Sequence, residues 1–223
     1  MPRCIQCQNL IFEPFNACTF YKKASKLCET CADQWNEVTI TLENRCARCL
    51  KRSRKHEKTC LDCTFLATNY ILMDQLYCQF EYKGIMKKLM HQYKFKKDVA
   101  VCEIIAELLH FPKAYYDYIV PIPSPIDRDR QRTFNPVSTV LDHIHVQYHT
   151  ILCTRVRPKQ SLLSKSLRAQ LNNPFEIVKN LELENKKILL VDDVYTTGLT
   201  VHHAAKTLFV RKIRKFDVFT FAR

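Results

Sequence analysis

The chain has 223 residues, enough for one domain of ordinary size, a sizeable core and a small appendage. It carries 35 Lys and Arg against 22 Asp and Glu, a formal charge of +13, which favours a polyanionic partner: nucleic acid, an acidic protein or a phosphorylated small molecule. No stretch is apolar for long enough to span a bilayer and Met1-Pro2-Arg3-Cys4 lacks a signal-peptide core, so membrane insertion is excluded and a cytoplasmic location is expected.

Cysteine spacing organises the N-terminal part. Cys4/Cys7, Cys28/Cys31, Cys46/Cys49 and Cys60/Cys63 are four pairs, each separated by two residues. In a reducing compartment such pairs favour a metal over disulfides, and two CxxC turns complete one tetrahedral zinc site. Four pairs predict two structural zinc ions, with every position filled by thiolate and none open to water. Sequential pairing joins Cys4, Cys7, Cys28 and Cys31 in one site and Cys46, Cys49, Cys60 and Cys63 in the other. It is preferred because each half closes a short loop, with an interleaved arrangement as the alternative. His56 is a second-choice ligand against its reading as a solvated side chain. Few large apolar residues lie in this region, so zinc would supply its stability. The expected domains are therefore 1–65, a double zinc-binding module, and 66–223.

The second region alternates short apolar runs with helical periodicity, the pattern of strands joined by crossover helices. Leu76 to Tyr82 is predicted as a strand, followed by a helix carrying Ile85, Leu89 and Tyr93, and a second helix from Val99 to Leu109. Tyr118 to Pro123 is a strand halted by its prolines. Pro136 to His145 is predicted helical, Ile151 to Val156 a strand, Lys187 to Asp192 a buried strand, Val201 to Val210 its crossover helix and Phe216 to Phe221 the last strand. The fold class expected is α/β, a mostly parallel sheet preceded by the cysteine-rich domain. Cys78, Cys102 and Cys153 stand singly and are expected as small buried side chains.

Chemistry concentrates where Ile188-Leu189-Leu190-Val191 runs into Asp192-Asp193-Val194-Tyr195-Thr196-Thr197-Gly198-Leu199-Thr200. Ligands of open α/β sheets bind beyond the carboxyl ends of the strands. Two carboxylates there can accept hydrogen bonds from ribose hydroxyls. A Thr-rich loop entering a helix offers amides, hydroxyls and the positive helix end to a phosphate. The chain has two glycines, and Gly198 falls where a left-handed turn is most needed. Basic stretches at Arg45 to Lys58, Lys83 to Lys97 and Arg155 to Arg168 are the other candidates. Lys87, Lys88, Lys94, Lys96, Lys97, Arg48 and Arg52 are the expected DNA-binding side chains, with Tyr82, Tyr93 and Phe95 as stacking platforms or core.

The strand, paired acids and Thr-Gly loop resemble type I phosphoribosyltransferases. The wider pattern resembles the ComF family of competence proteins: the CxxC pairs, Tyr82-Lys83-Gly84 before a basic helix ending Lys94-Phe95-Lys96, Val120-Pro121-Ile122-Pro123, Arg132-Thr133-Phe134-Asn135, and Arg155 through Gln160 and Arg168. The resemblance implies a type I phosphoribosyltransferase-like fold and a protein of natural transformation that handles single-stranded DNA beside a ComFA-like helicase ATPase. It implies that Asp192 and Asp193 contact ribose. Val194, Tyr195, Thr196, Thr197, Gly198 and Thr200 form the 5′-phosphate loop, and Arg128, Arg132, Arg155, Gln160 and Arg168 line the pyrophosphate side or a hood. Magnesium would bridge the pyrophosphate of a phosphoribosyl-pyrophosphate-type ligand. Where the family often has Arg-Gly-Phe-Asn-Gln, this chain has Arg132-Thr133-Phe134-Asn135-Pro136, which predicts a stiffer loop. Three readings stay open: a DNA-handling factor with a ligand pocket, an active transferase of unknown acceptor, and a zinc-dependent interaction scaffold.

Overall fold

The computed structural model describes residues 2–12, 25–53, 59–154 and 173–223. Its centre is a four-stranded parallel sheet of β1 (Leu76–Tyr77), β2 (Tyr118–Pro121), β5 (Lys187–Val194) and β6 (Lys215–Ala222), in the order β1-β6-β5-β2. The apolar run of β5 explains its central place. Ile188, Leu189, Leu190 and Val191 are all fully buried, as a parallel strand covered on both faces requires. Pro121 is tolerated because β2 is an edge strand. Asp217 is buried in β6 but satisfied: Tyr116 Oη donates at 2.8 Å, Gln75 N at 3.1 Å, and Lys187 Nζ lies at 3.2 Å.

Alternation along β5 divides the core. Ile188 and Leu190 join a cluster with the helix α7 (Leu199–Phe209) and Cys46, Cys49, Cys60 and Cys63. Leu189 and Val191 join another with α1 (Glu29–Val38), α3 (Gly84–Phe95), α4 (Val101–Leu108) and α6 (Pro136–His143). Cys4, Cys31 and Ile11 form a separate small cluster. Among the described residues no helix is long and apolar enough to cross a membrane.

The structure corrects several expected elements. Leu76–Tyr77 is all that remains of the Leu76 to Tyr82 strand. Beyond it Gln79 O accepts from Ile40 N and Phe80 bridges Thr39, so the cysteine region interrupts the strand, which meets the end of β6 again where Phe80 bridges Ala222. The Ile151 to Val156 strand shortens to β3 (Leu152–Thr154) and leaves the parallel sheet; it pairs antiparallel with β4 (Phe175–Ile177). That pair is held to α7 by Asn173 Nδ2, which donates to His203 O at 2.8 Å and Thr207 Oγ1 at 2.9 Å. The β5 strand runs on through Val194, so the acids lie inside it rather than after it. Helices α1, α2 (Leu61–Ala67) and α5 (Ile126–Arg132) were not anticipated.

At the expected loop, Thr133 takes φ 71°, a left-handed position that glycine adopts freely and a β-branched residue does not. Asn135 then caps α6 through Val137 N and Ser138 N, both at 3.0 Å, and Pro136 occupies the first helical turn where its missing N–H is harmless.

Candidate ligand and metal sites

The carboxyl end of β5 brings the acids beside two different helices. Asp193 follows the register of Leu189 and Val191 toward α3, and its Oδ2 lies 2.5 Å from Lys94 Nζ, with both side chains largely buried. Asp192 follows Ile188 and Leu190, opposite Thr220 of β6. Its Oδ1 accepts from Asp193 N at 2.8 Å. Burial first, and the Asp193 charge second, push the Asp192 carboxyl up to about 8. Two adjacent acids thus differ in surroundings: Asp193 is paired with Lys94, while burial favours the neutral form of Asp192.

The loop after them turns on Gly198, at φ 82°, the residue that caps α7. A Cβ there would fall against Tyr195 Oη and lie 2.7 Å from Tyr195 Cζ, so only glycine fits. Thr196, Thr197 and Thr200 are exposed around this turn. Among the described residues no acceptor takes the N–H groups of Thr196, Thr197 or Gly198, while Thr197 Oγ1 accepts from Leu199 N at 3.5 Å. A positive helix end, amides without an internal acceptor among the described residues and exposed hydroxyls together suit a phosphate. Tyr195 is the exception within the motif: its side chain is 3% exposed, turned from the loop mouth into the cluster that holds the second set of cysteines.

Arg132 Nε donates to Lys94 O at 3.1 Å, which sets α5 against the end of α3 near the acids. Arg128 is exposed on the same short helix. Arg155, Gln160, Arg168 and His56 lie outside the described residues. Of the expected DNA-binding residues, Lys87, Lys88, Lys96 and Lys97 are exposed on or just after α3. Phe95 is exposed beside them with its ring 5.0 Å from that of His91. Lys94 is engaged by Asp193. Arg48 turns inward and donates to Met73 O, and Arg52 pairs with Glu81 at 2.7 Å. Burial opposes ionisation of Glu81, yet Lys83, Arg45 and Arg52 hold it down to about 2. Tyr93 is core: it is fully buried and donates to Pro136 O at 2.9 Å.

Both cysteine groups assemble in the sequential pairing. In each, the four sulfur atoms lie within 4.8 Å of one another and could hold a metal ion. Contacts of 3.6 Å (Cys7 to Cys28), 3.9 Å (Cys46 to Cys63) and 3.4 Å (Cys49 to Cys60) bracket the ~3.8 Å edge of a tetrahedron with zinc–sulfur bonds of ~2.3 Å. The donor set therefore fits zinc. Hydrogen bonding from Cys63, then from Arg223, holds the Cys49 thiol down to about 4 despite burial. No local sequence signal marks Arg223. Its Nη2 lies 3.2 Å from Cys49 Sγ, its Nε donates to Cys49 O, and its guanidinium sits 5.3 Å over the Tyr195 ring.

No family model matches the chain. The chain is 27% identical to competence protein ComFC of Bacillus subtilis (strain 168) over 231 residues, covering 99% of this chain and 94% of that one. It is 29% identical to competence protein ComFC of Streptococcus pneumoniae, covering 89% and 88%. It is 27% identical to DNA utilization protein YhgH of Escherichia coli (strain K12), covering 73% and 83%. Among solved structures it resembles the allosteric regulatory enzyme of purine biosynthesis, at 16% identity and TM-score 0.37 over 57% of this chain and 25% of that one. A Staphylococcus aureus hypoxanthine phosphoribosyltransferase gives 17% identity and TM-score 0.29 over 56% and 62%. These scores are too low to transfer residue roles.

Proposed function

We propose that this chain acts in the use of incoming DNA during natural transformation, binding single strands on the cationic face of α3 and a phosphoribosyl-pyrophosphate-type ligand at Asp192, Asp193 and the Thr196–Thr200 loop. The observation that carries the ligand reading is the left-handed Gly198 turn, which presents loop amides and the α7 N-terminus directly after the acid pair. The names of the relatives, competence protein and DNA utilization protein, support the pathway. Lys87, Lys88, Lys96 and Lys97 would contact phosphates and Phe95 would stack a base. A ComFA-like helicase ATPase is the protein partner in this reading, and the cytoplasm its location.

The ligand would enter with ribose hydroxyls toward the acids and its 5′-phosphate on the loop. Asp193, paired with Lys94, is one acceptor; Asp192 becomes a second when it gives up its proton. Magnesium would arrive with the pyrophosphate and neutralise its oxygens. Zinc fits both cysteine groups as a structural ion, closed by four thiolates.

Calorimetric titration with magnesium phosphoribosyl pyrophosphate tests the ligand, and fluorescence anisotropy with labelled single- and double-stranded DNA across a salt series tests the nucleic acid. Saturable ligand binding lost in Asp193→Asn, with steep salt dependence and a preference for single strands, is expected. Absence of either binding refutes that half of the reading. The acid pair also supports a transferase, which would release pyrophosphate with a nucleobase panel and lose that release in Asp192→Asn.

A further inference from the structure

The second cysteine group and the phosphate loop share one packed column of side chains. Cys49 takes two hydrogen bonds from Arg223, one at its carbonyl and one at its sulfur, 3.2 Å away. The Arg223 guanidinium then covers the Tyr195 ring. Tyr195 fills the space where a side chain at position 198 would stand, and Leu66 Cδ1, three residues beyond Cys63 on α2, closes the same space at 3.2 Å. Tyr195 N is tied to Ala222 O at 2.9 Å, next to Arg223, so backbone and side chain reach the loop from one direction. Nothing in the ligand chemistry requires a buried tyrosine here. Its position is explained by what lies beneath it.

We propose that Arg223 and Tyr195 are positioning residues that make the shape of the phosphate loop depend on metal at the second cysteine group, an inference that rests on the ligand reading of that loop. Four thiolates around zinc carry a net charge of −2, which fixes the Arg223 guanidinium by a charge-assisted bond. With the guanidinium fixed, Tyr195 has one place to lie, and Gly198 keeps its left-handed turn over it. Without metal the thiols separate, Arg223 loses its anchor, and the ring is free to rise into the loop. Coupling of this kind is reciprocal: ligand on the loop must also hold the metal.

Two measurements on the full zinc-loaded chain test this. Amide hydrogen exchange is followed in wild type and Arg223→Ala, with bound zinc quantified in the same samples. Exchange of the bonded amides that flank the loop, Tyr195 N on Ala222 O and His202 N on Gly198 O, should quicken roughly tenfold, while β2 and β5 amides stay unchanged. Arg223→Lys should not restore protection, because a point charge cannot both bond the sulfur and lie flat on the ring. An unchanged loop in Arg223→Ala with both ions retained overturns the proposal. If Arg223→Ala sheds its second ion, zinc transfer to a chromophoric chelator takes over. Cys7→Ser identifies the first-site phase. Magnesium phosphoribosyl pyrophosphate should slow the second phase alone, and Tyr195→Leu should abolish that slowing. Ligand that binds by calorimetry and leaves both phases unaltered defeats the coupling. Ligand that fails to bind defeats the site reading instead, and the exchange experiment on wild type before and after metal removal then decides the coupling alone: it stands if the loop quickens ahead of β5 and falls otherwise.

Discussion

Replacing Asp192 by Asn should stabilise the protein, and the amount should depend on pH in a way that identifies the cause. The carboxyl is displaced from 3.8 to about 8, by burial and by Asp193 beside it. A folded-state value raised above the unfolded one means that folding takes up a proton. The stability tied to the neutral form is complete below about pH 4 and is lost progressively as pH rises through about 8. At about 1.4 kcal/mol per pH unit, this window amounts to a ceiling of roughly 6 kcal/mol. Relaxation around an ionised Asp192, helped by Lys94, will lower it, and about 2 kcal/mol at pH 8 is the working expectation. Asparagine keeps the shape and the acceptor that Asp193 N uses, without the ionisation. Guanidinium denaturation of the zinc-loaded chain at several values between pH 5 and 8.5, followed by Trp35 fluorescence and by circular dichroism, gives the difference between the two proteins. Trp35 is buried and packed 4.8 Å from Phe80, which makes it a reporter of unfolding. Terms common to both chains, including cysteine ionisation, cancel in that difference. The advantage of the variant should grow steadily from pH 5 to about pH 8 and level off above. Parallel curves, or a variant less stable at pH 8, refute the claim that Asp192 is held protonated.

Thr133→Gly should stabilise by about 1 kcal/mol in thermal unfolding, because a β-branched residue is replaced at φ 71° by the residue that tolerates it; a loss of stability would show that Thr133 contacts outweigh the strain. Gly198→Ala should cost about 1–3 kcal/mol and weaken phosphoribosyl pyrophosphate binding at least tenfold, since the new Cβ meets the Tyr195 ring; wild-type affinity would refute the packing. Lys88→Ala should lower the slope of log K against log salt for single-stranded DNA by about 1, whereas Arg48→Ala should leave it unchanged because Arg48 is bonded to Met73 O. Metal analysis should find two zinc ions per chain and one in Cys60→Ser; a single ion in wild type refutes the assignment of both groups.

What could be read from the sequence was what short segments determine. The run Ile188 to Val191 announces a strand buried on both faces, and the CxxC spacing announces its own chemistry, since two residues between thiols fix a turn whatever surrounds it. Helix α1 carries a legible signal: Cys31, Trp35 and Val38 recur at helical spacing and are its buried residues. Lys94 and Asp193 are 99 positions apart, so their pairing, and the removal of Lys94 from the DNA face, follow from topology alone. Arg223 and Cys49 are separated by 174 positions, and neither residue type announces the other. The antiparallel turn of β3 onto β4 was hidden for a related reason. Leu152-Cys153-Thr154 has ordinary strand composition, and only its docking on α7 through Asn173 decides which sheet it joins.

The two cysteine groups are buried in unequal company, and this sets the order in which the molecule comes apart. Around Cys4 and Cys31 the only other buried apolar residue described is Ile11, so there the ion stands in for a core. It is attached to the rest through Lys26 to Glu107 at 2.5 Å and through Ile5, Leu27, Trp35 and Val38, which pack with α3 and α4. Cys46, Cys49, Cys60 and Cys63 instead share a cluster with Ile188, Leu190 and Phe216. A chelator acting slowly should therefore release the first ion by a local opening that leaves the sheet folded. The second ion is backed by the core beneath β5, so it should be the slower of the two to leave.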